Sequence, residues 1–349
     1  MNLTCPLVGL AAALIVGVAA PPQVSAQAAG DWEEATLKHR GMEDFEVVLP
    51  AAKSVWKKLG DSITVLGVEF PVEVQGDLKF EIDSNGDETV DEAVKGNAGY
   101  VELSGKTEAG ESFRYAVRFR NDGAKLWSWM PSHVMQGKVR GTTLSFVDRN
   151  GNGRYDDLGQ DAYVIGNDRG AAYLSSVVNI GGDLFELELD KSGTTVKTRP
   201  YTGATGTLSA ASPEGIKGDL VAAVFRSGAN SFNVAGSPKG MKVPAGSYAL
   251  ESGHLERGTE SATIARGRME AIEVAADATA TVEWGGPLFG ELDEPTVTKD
   301  KVTVRPTLYI FGKAGESYGD FLPQGKSPKV QILDKATGKV LKKGTFPSG

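Results

Sequence analysis

Two stretches of the chain carry oxygen-bearing side chains at a spacing that suits a hard cation: Asp83-Ser-Asn-Gly-Asp-Glu-Thr-Val-Asp-Glu92 and Asp148-Arg-Asn-Gly-Asn-Gly-Arg-Tyr-Asp-Asp157. Calcium takes six to eight oxygens at flexible geometry, and alternate side chains on a tight, glycine-containing loop can supply them. The two stretches align position by position: Asp83 with Asp148, Asn85 with Asn150, Gly86 with Gly151, Asp87 with Asn152, Asp91 with Asp156 and Glu92 with Asp157.

This spacing resembles the calcium loop of EF-hands and dockerins, in which positions one, three, five, seven and nine surround the ion, the seventh through its carbonyl. The resemblance implies calcium as the ion and a ligand set in each loop. In the second loop the set is Asp148, Asn150, Asn152, the carbonyl of Arg154 and Asp156, with Gly153 at the sharp turn. Gly159 occupies the twelfth position, where the family closes the shell with an acid, so Asp161 is the expected closing residue and Asp157 its substitute. In the first loop the set is Asp83, Asn85, Asp87, the carbonyl of Thr89 and Asp91. There Glu88 replaces the turn glycine and Val94 the closing acid, leaving Glu92 to close. These departures rank the Asp148 loop as the better site.

The competing use of such residues is hairpin chemistry, because Asn and Asp start Asx turns and tolerate left-handed backbone. Recurrence of the pattern favours the ion. Strand-like Lys79–Ile82 and Thr143–Val147 precede the loops and Ala162–Ile165 follows the second, so both are expected as β-loop-β connections, without a helix pair to open.

Other chemistry has little to draw on. The three histidines, His39, His133 and His254, lie far apart in the chain with no metal-ligand spacing. Gly325-Lys-Ser327 evokes a phosphate loop, but Asp320 stands where its first glycine belongs. Trp127 and Trp129 alternate along one strand and have two possible uses: core anchors, or a platform on which Tyr155 and His133 help stack a sugar ring. A carbohydrate or a surface protein is the corresponding partner. Carboxylate pairs for a hydrolase are not marked out by spacing, and the balance leans away from an enzyme.

The body that must position these residues reads as all-β. Period-two alternation runs through Val68–Val74, Phe113–Phe119 and Leu184–Leu189, and turn residues separate such runs at Asn121–Gly123, Asn167–Gly170, Lys191–Gly193 and Thr337–Gly338. Glycine contributes 44 of 349 residues, which suits many tight turns. One short helix is expected over Ala51–Leu59. The fold class expected is two or three β-sandwich units, immunoglobulin-like or prealbumin-like, after a cleaved signal peptide.

The N-terminus carries that export signal: an apolar run from Leu7 to Ala20, then Val24-Ser-Ala26, with cleavage after Ala26. The sole cysteine, Cys5, lies inside it, so the mature chain has none. A cysteine-free exported chain points to a bacterial periplasmic or extracellular protein stabilised without disulfides. A net charge of −8 argues against a nucleic-acid partner, and the mature chain holds no apolar run of membrane-spanning length. Turn-rich breaks divide it into 27–208, which holds both acidic loops, 209–284, and 285–349. In the middle unit Val243-Pro-Ala-Gly-Ser-Tyr-Ala-Leu250 resembles the carboxypeptidase-regulatory and Cna-B-like families, which implies a small sandwich there. Pro328–Val340 resembles a strand-turn-strand of an immunoglobulin-like module.

Overall fold

The computed structural model describes residues 30–51, 55–237, 239–299, 301–303, 307–323 and 329–345. The signal segment 1–26 lies outside them. The described chain is all-β: strands joined by turns, with no α-helix among the described residues.

Residues 57–131 form one sandwich. A four-stranded meander of Ser62–Val65, Val68–Gly76, Lys79–Ile82 and Glu92–Lys95 faces a second sheet of Ala98–Lys106, Ser112–Gly123, Leu126–Pro131 and the short strand Lys57–Lys58. Alternation turns Ile63, Val65, Phe70, Phe80 and Ile82 of the meander inward against Leu103, Val117, Phe119 and Trp127 of the partner sheet.

A second sandwich is built from chain on both sides of the first. Lys38–Gly41 pairs with His133–Val139, and Glu33–Thr36 pairs with Thr195–Pro200. The chain therefore enters the second sandwich, leaves to build the first, and returns at His133. Its core joins Leu37, Leu144 and Phe146 to Val178, Leu187 and Val196.

Most of the remaining strands form a third body. Its large sheet contains Asp219–Ser227, Gly246–Arg257, Glu260–Ala265, Ser317–Leu322, Leu308–Phe311 and Phe289–Leu292, accompanied by a small sheet of Thr205–Ser209, Met241–Pro244 and Thr279–Thr281. The predicted turn into a strand at Val243–Leu250 is present, with the buried Tyr248 hydroxyl donating to the Pro244 carbonyl at 2.8 Å.

Several expectations are revised. The break at 208/209 falls within the strand Thr205–Ser209, which pairs with Met241–Pro244. The break at 284/285 cuts through one body, because Glu260–Ala265 pairs with Ser317–Leu322 and the buried Glu316 carboxylate accepts from the Gly285 amide at 2.7 Å. Local turn chemistry marks where a chain bends and carries no information on whether the flanking strands rejoin. The hairpin Lys329–Leu333 with Val340–Thr345 forms as expected and stands as a two-stranded sheet. In the predicted helix, Lys57 and Lys58 are instead paired with Trp129 and Ser128, a case of tertiary pairing overriding propensity, and residues 52–54 lie outside the described residues. The Asn121–Gly123 turn is displaced: the strand runs through Gly123, and Ala124 and Lys125 take the positive φ angles of 46° and 64°.

Candidate functional site

Both acidic loops connect antiparallel neighbours. The first joins strands paired through Ile82 and Glu92, the second strands paired through Val147 and Ala162. In each, the leading aspartate is buried and serves as the hub of the turn. Asp83 accepts the amides of Asn85 at 2.9 Å, Gly86 at 2.7 Å and Glu88 at 2.7 Å. Asp148 accepts those of Gly151 at 2.6 Å, Asn152 at 3.1 Å and Gly153 at 2.6 Å.

The next two positions repeat the same Asx turns. Asn85 and Asn150 accept the amides of Asp87 and Asn152, at 3.0 and 3.1 Å. Asp87 and Asn152 accept those of Thr89 and Arg154, at 3.0 and 2.8 Å. The backbone agrees as well: Gly86 and Gly151 have φ of 75° and 64°, and Glu88 and Gly153 have 68° and 85°. Glu88 therefore adopts the left-handed conformation that its missing glycine would have supplied, against a steric cost of about 1–2 kcal/mol.

The loops differ in what remains of their oxygens. A carboxylate has about four acceptor positions. On Asp148 the fourth donor is the Tyr115 hydroxyl at 2.7 Å, so every position is filled by protein. On Asp83, itself buried, three amides are bound, and the fourth position has no donor among the described residues. Asp156 pairs with Arg154 at 3.0 Å, and Asp157 gathers the side-chain amides of Asn150 and Asn152 at 2.8 and 2.6 Å. Asp161 accepts the amides of Arg149 at 3.2 Å and Asp157 at 3.0 Å. In the first loop Asp91 closes the turn, accepting Ser84 N at 2.9 Å and Asn85 Nδ2 at 2.8 Å, and Glu92 begins the next strand. Among the described residues no three His, Cys, Asp or Glu side chains converge as a ready metal cage.

The second loop also crowds two carboxyl groups into a confined place. Burial pushes the Asp148 carboxyl up to about 6, against the pull of Tyr115 and the three amides. Burial and the neighbouring Asp148 push Asp161 to about 8. A partial counter-charge arrives from Lys57, whose ammonium donates to the Gly151 carbonyl at 2.6 Å and lies 5.1 Å from the Trp129 ring centre. Burial lowers Lys57 and the charge of Asp148 draws it back up. In the first loop, Glu92 is raised by burial and then by Asp91.

Tyr115 and Lys57 had no signal in the sequence. Both come from the first sandwich, whereas the Asp148 loop belongs to the second, and Gly153 lies so close to the first that a Cβ there would sit 2.7 Å from Leu66 N. His133 completes this joint: its Nδ1 faces the Ala116 carbonyl at 2.8 Å, its Nε2 meets the Tyr155 hydroxyl, and its ring packs edge-on to Tyr115 at 4.3 Å. The Ala116 carbonyl holds the proton on Nδ1, so Nε2 accepts from Tyr155.

The tryptophan platform does not form. Trp127 and Trp129 are 1 % and 6 % exposed and belong to the first core, with Trp127 edge-on to Phe80; Tyr155 and His133 are buried too. An alternating aromatic pair on a central strand faces whichever side has the opposing sheet, and here both indoles point to it. What the surface does hold is a cleft of about 990 Å³ between the two sandwiches, reached by the tips of both acidic loops at Asn85, Gly86, Gly153 and Tyr155. Comparison with known protein families, with curated proteins and with solved structures finds no match for this chain.

Proposed function

We propose that the chain is an exported calcium-binding β protein with a structural or interaction role, its ions held by the Asp83 and Asp148 loops in the manner of EF-hand and dockerin loops. The observation that carries this reading is the recurrence of one hydrogen-bond ladder, with the same left-handed positions, in two loops whose sequences differ at most places. Calcium loops need this preorganisation: the hub carboxylate ties up the amides, and the alternate side chains are turned to one side.

The donor set ranks the loops in the reverse of their sequence order. The Asp83 loop retains an acceptor position on Asp83, and its Asp87, Asp91 and Glu92 add the charge a weak extracellular site needs. The candidate ligands there are Asp83, Asn85, Asp87, the Thr89 carbonyl, Asp91 and Glu92. The Asp148 loop fits an ion less well, because Tyr115 and Arg154 already occupy Asp148 and Asp156. An ion there would have to displace a protein donor. Bound calcium would neutralise the acidic turn and fix its shape.

Extracellular sites of this kind bind at about 10⁻⁴–10⁻³ M, so about 5 mM calcium stabilises the native state by about 1–2 kcal/mol. The expected result is a melting temperature about 2–4 °C higher in calcium than in chelator, a difference that Asp87→Asn with Asp91→Asn removes. Identical melting in both conditions would sink the reading. Export rests on the N-terminal segment, and the mass of the secreted protein, starting at Gln27, checks it.

A further inference from the structure

The cleft between the sandwiches, about 990 Å³, is within the range of small-molecule sites. Its walls have three properties together. First, it has an apolar floor in which half-buried Leu66 and Val68 lie beside Phe113, whose ring rests across the paired strand at Gly105; a Cβ on that glycine would be 3.0 Å from the ring. The missing side chain lets the ring lie on the sheet.

Second, Ser104, Thr107, Ser112, Ser192 and Thr194 line the cleft from both sandwiches, where a lipid site would be apolar throughout; Ser192 and Thr194 are oriented by the Asp190 carboxylate and Thr107 accepts the Glu111 amide, so each has only part of its hydrogen-bonding capacity left for a ligand. Third, the rim carries cations beside the tips of the acidic loops. Lys38, Lys106 and Arg114 line it, against Glu111 as the one carboxylate among the described lining residues. Arg114 is shared with Glu102 at 3.3 Å, whereas neither Lys38 nor Lys106 has an ion pair among the described residues.

We propose that this cleft binds an anionic saccharide: a short oligomer whose ring face packs on Phe113, whose hydroxyls exchange hydrogen bonds with the serine and threonine walls, and whose carboxylates meet Lys38 and Lys106. An aromatic ring, neutral hydroxyls and flanking cations are the groups such a molecule requires. The cleft is assigned to binding. The assignment does not depend on ions in the loops.

The test is calorimetric titration of the purified mature protein with a galacturonic acid trimer and, in parallel, with maltotriose. The trimer is expected to bind, to weaken as salt is raised, and to lose at least about tenfold in affinity when Lys38→Glu and Lys106→Glu are combined. Both lysines are exposed, so the melting temperature of the double variant should match the parent and exclude misfolding. Phe113→Leu is expected to weaken binding with the salt dependence retained. No heat with the trimer at millimolar concentration, equal affinity for maltotriose, or a double variant within twofold of the parent would each overturn the proposal.

Discussion

The Asp83 and Asp148 loops share a backbone and differ in their neighbours. The first sits on its own sandwich, its Asx turns open to solvent and its hub left with a free acceptor position. The second reaches across to another sandwich, where Tyr115, Lys57 and Leu66 close over it. One local design thus serves two ends. On the first sandwich the ladder leaves its side chains exposed, as the proposed cation site requires; at the joint, the same oxygens are used up by protein donors and the loop becomes a rivet between sandwiches.

The sharpest way to break this comparison is to remove each hub. Asp148→Ala leaves three amides and a buried tyrosine hydroxyl without an acceptor, and is expected to cost at least about 4 kcal/mol. Asp83→Ala leaves three amides in a more exposed loop and should cost about 1–2 kcal/mol. Urea unfolding of the two variants measures the gap, and equal losses would mean that the joint contributes nothing.

A smaller effect comes from exchanging the residues at the left-handed position. Gly153→Glu meets Leu66 N and should lose about 3 kcal/mol through overpacking and backbone strain. Glu88→Gly removes a strained φ of 68° and should gain up to about 1 kcal/mol. Thermal melts read both, and a loss in Glu88→Gly would show that the glutamate side chain supports the loop.

The smallest effect separates the loops by pH. Burial, aided by His39, depresses His133 from 6.5 to about 3, with the Ala116 carbonyl opposing. Because the folded value lies below the unfolded one, the stability from neutral His133 is complete above 6.5 and is lost as pH falls towards 3. His133 by itself contributes a loss of about 1 kcal/mol over the first pH unit below 6.5, opposed by Asp148 and Asp161, whose raised values make the fold gain stability as pH falls; the difference between the parent and His133→Gln across that unit isolates the histidine. His133 lies between Tyr115 and Tyr155, so its contribution is read as a difference in hydrogen exchange at the joint between the parent and His133→Gln, with the Asp83 loop alike in both.

Much of this was legible in the chain. Alternation in Val68–Val74, Phe113–Phe119 and Leu184–Leu189 located strands because period two is a property of the extended backbone. The loops were legible for a similar reason: Asx turns are made by residues two and three apart, and Asp83 and Asp148 need no distant help to form them. Glu88 shows the limit of that logic. Its type argued against the turn, and the ladder of neighbouring hydrogen bonds imposed the turn regardless.

The domain boundaries, the partners of Asp148 and the burial of Trp127 and Trp129 were not legible, since each depends on residues far away in sequence. Nothing near Lys57 or Tyr115 shows that they will meet a loop some distance along the chain, and nothing near Ser209 shows that the strand it ends will pair with Met241–Pro244.

The sequence by itself determined the all-β character, the turn chemistry and two equivalent loops with cation-type spacing, because these follow from short-range geometry. Only the tertiary structure decided that one loop is sealed at a joint while the other stays open, that the tryptophans face a core, and that a cleft lined by hydroxyls and cations opens between sandwiches. Those outcomes depend on which surfaces bury each other, and burial is settled by the whole chain at once.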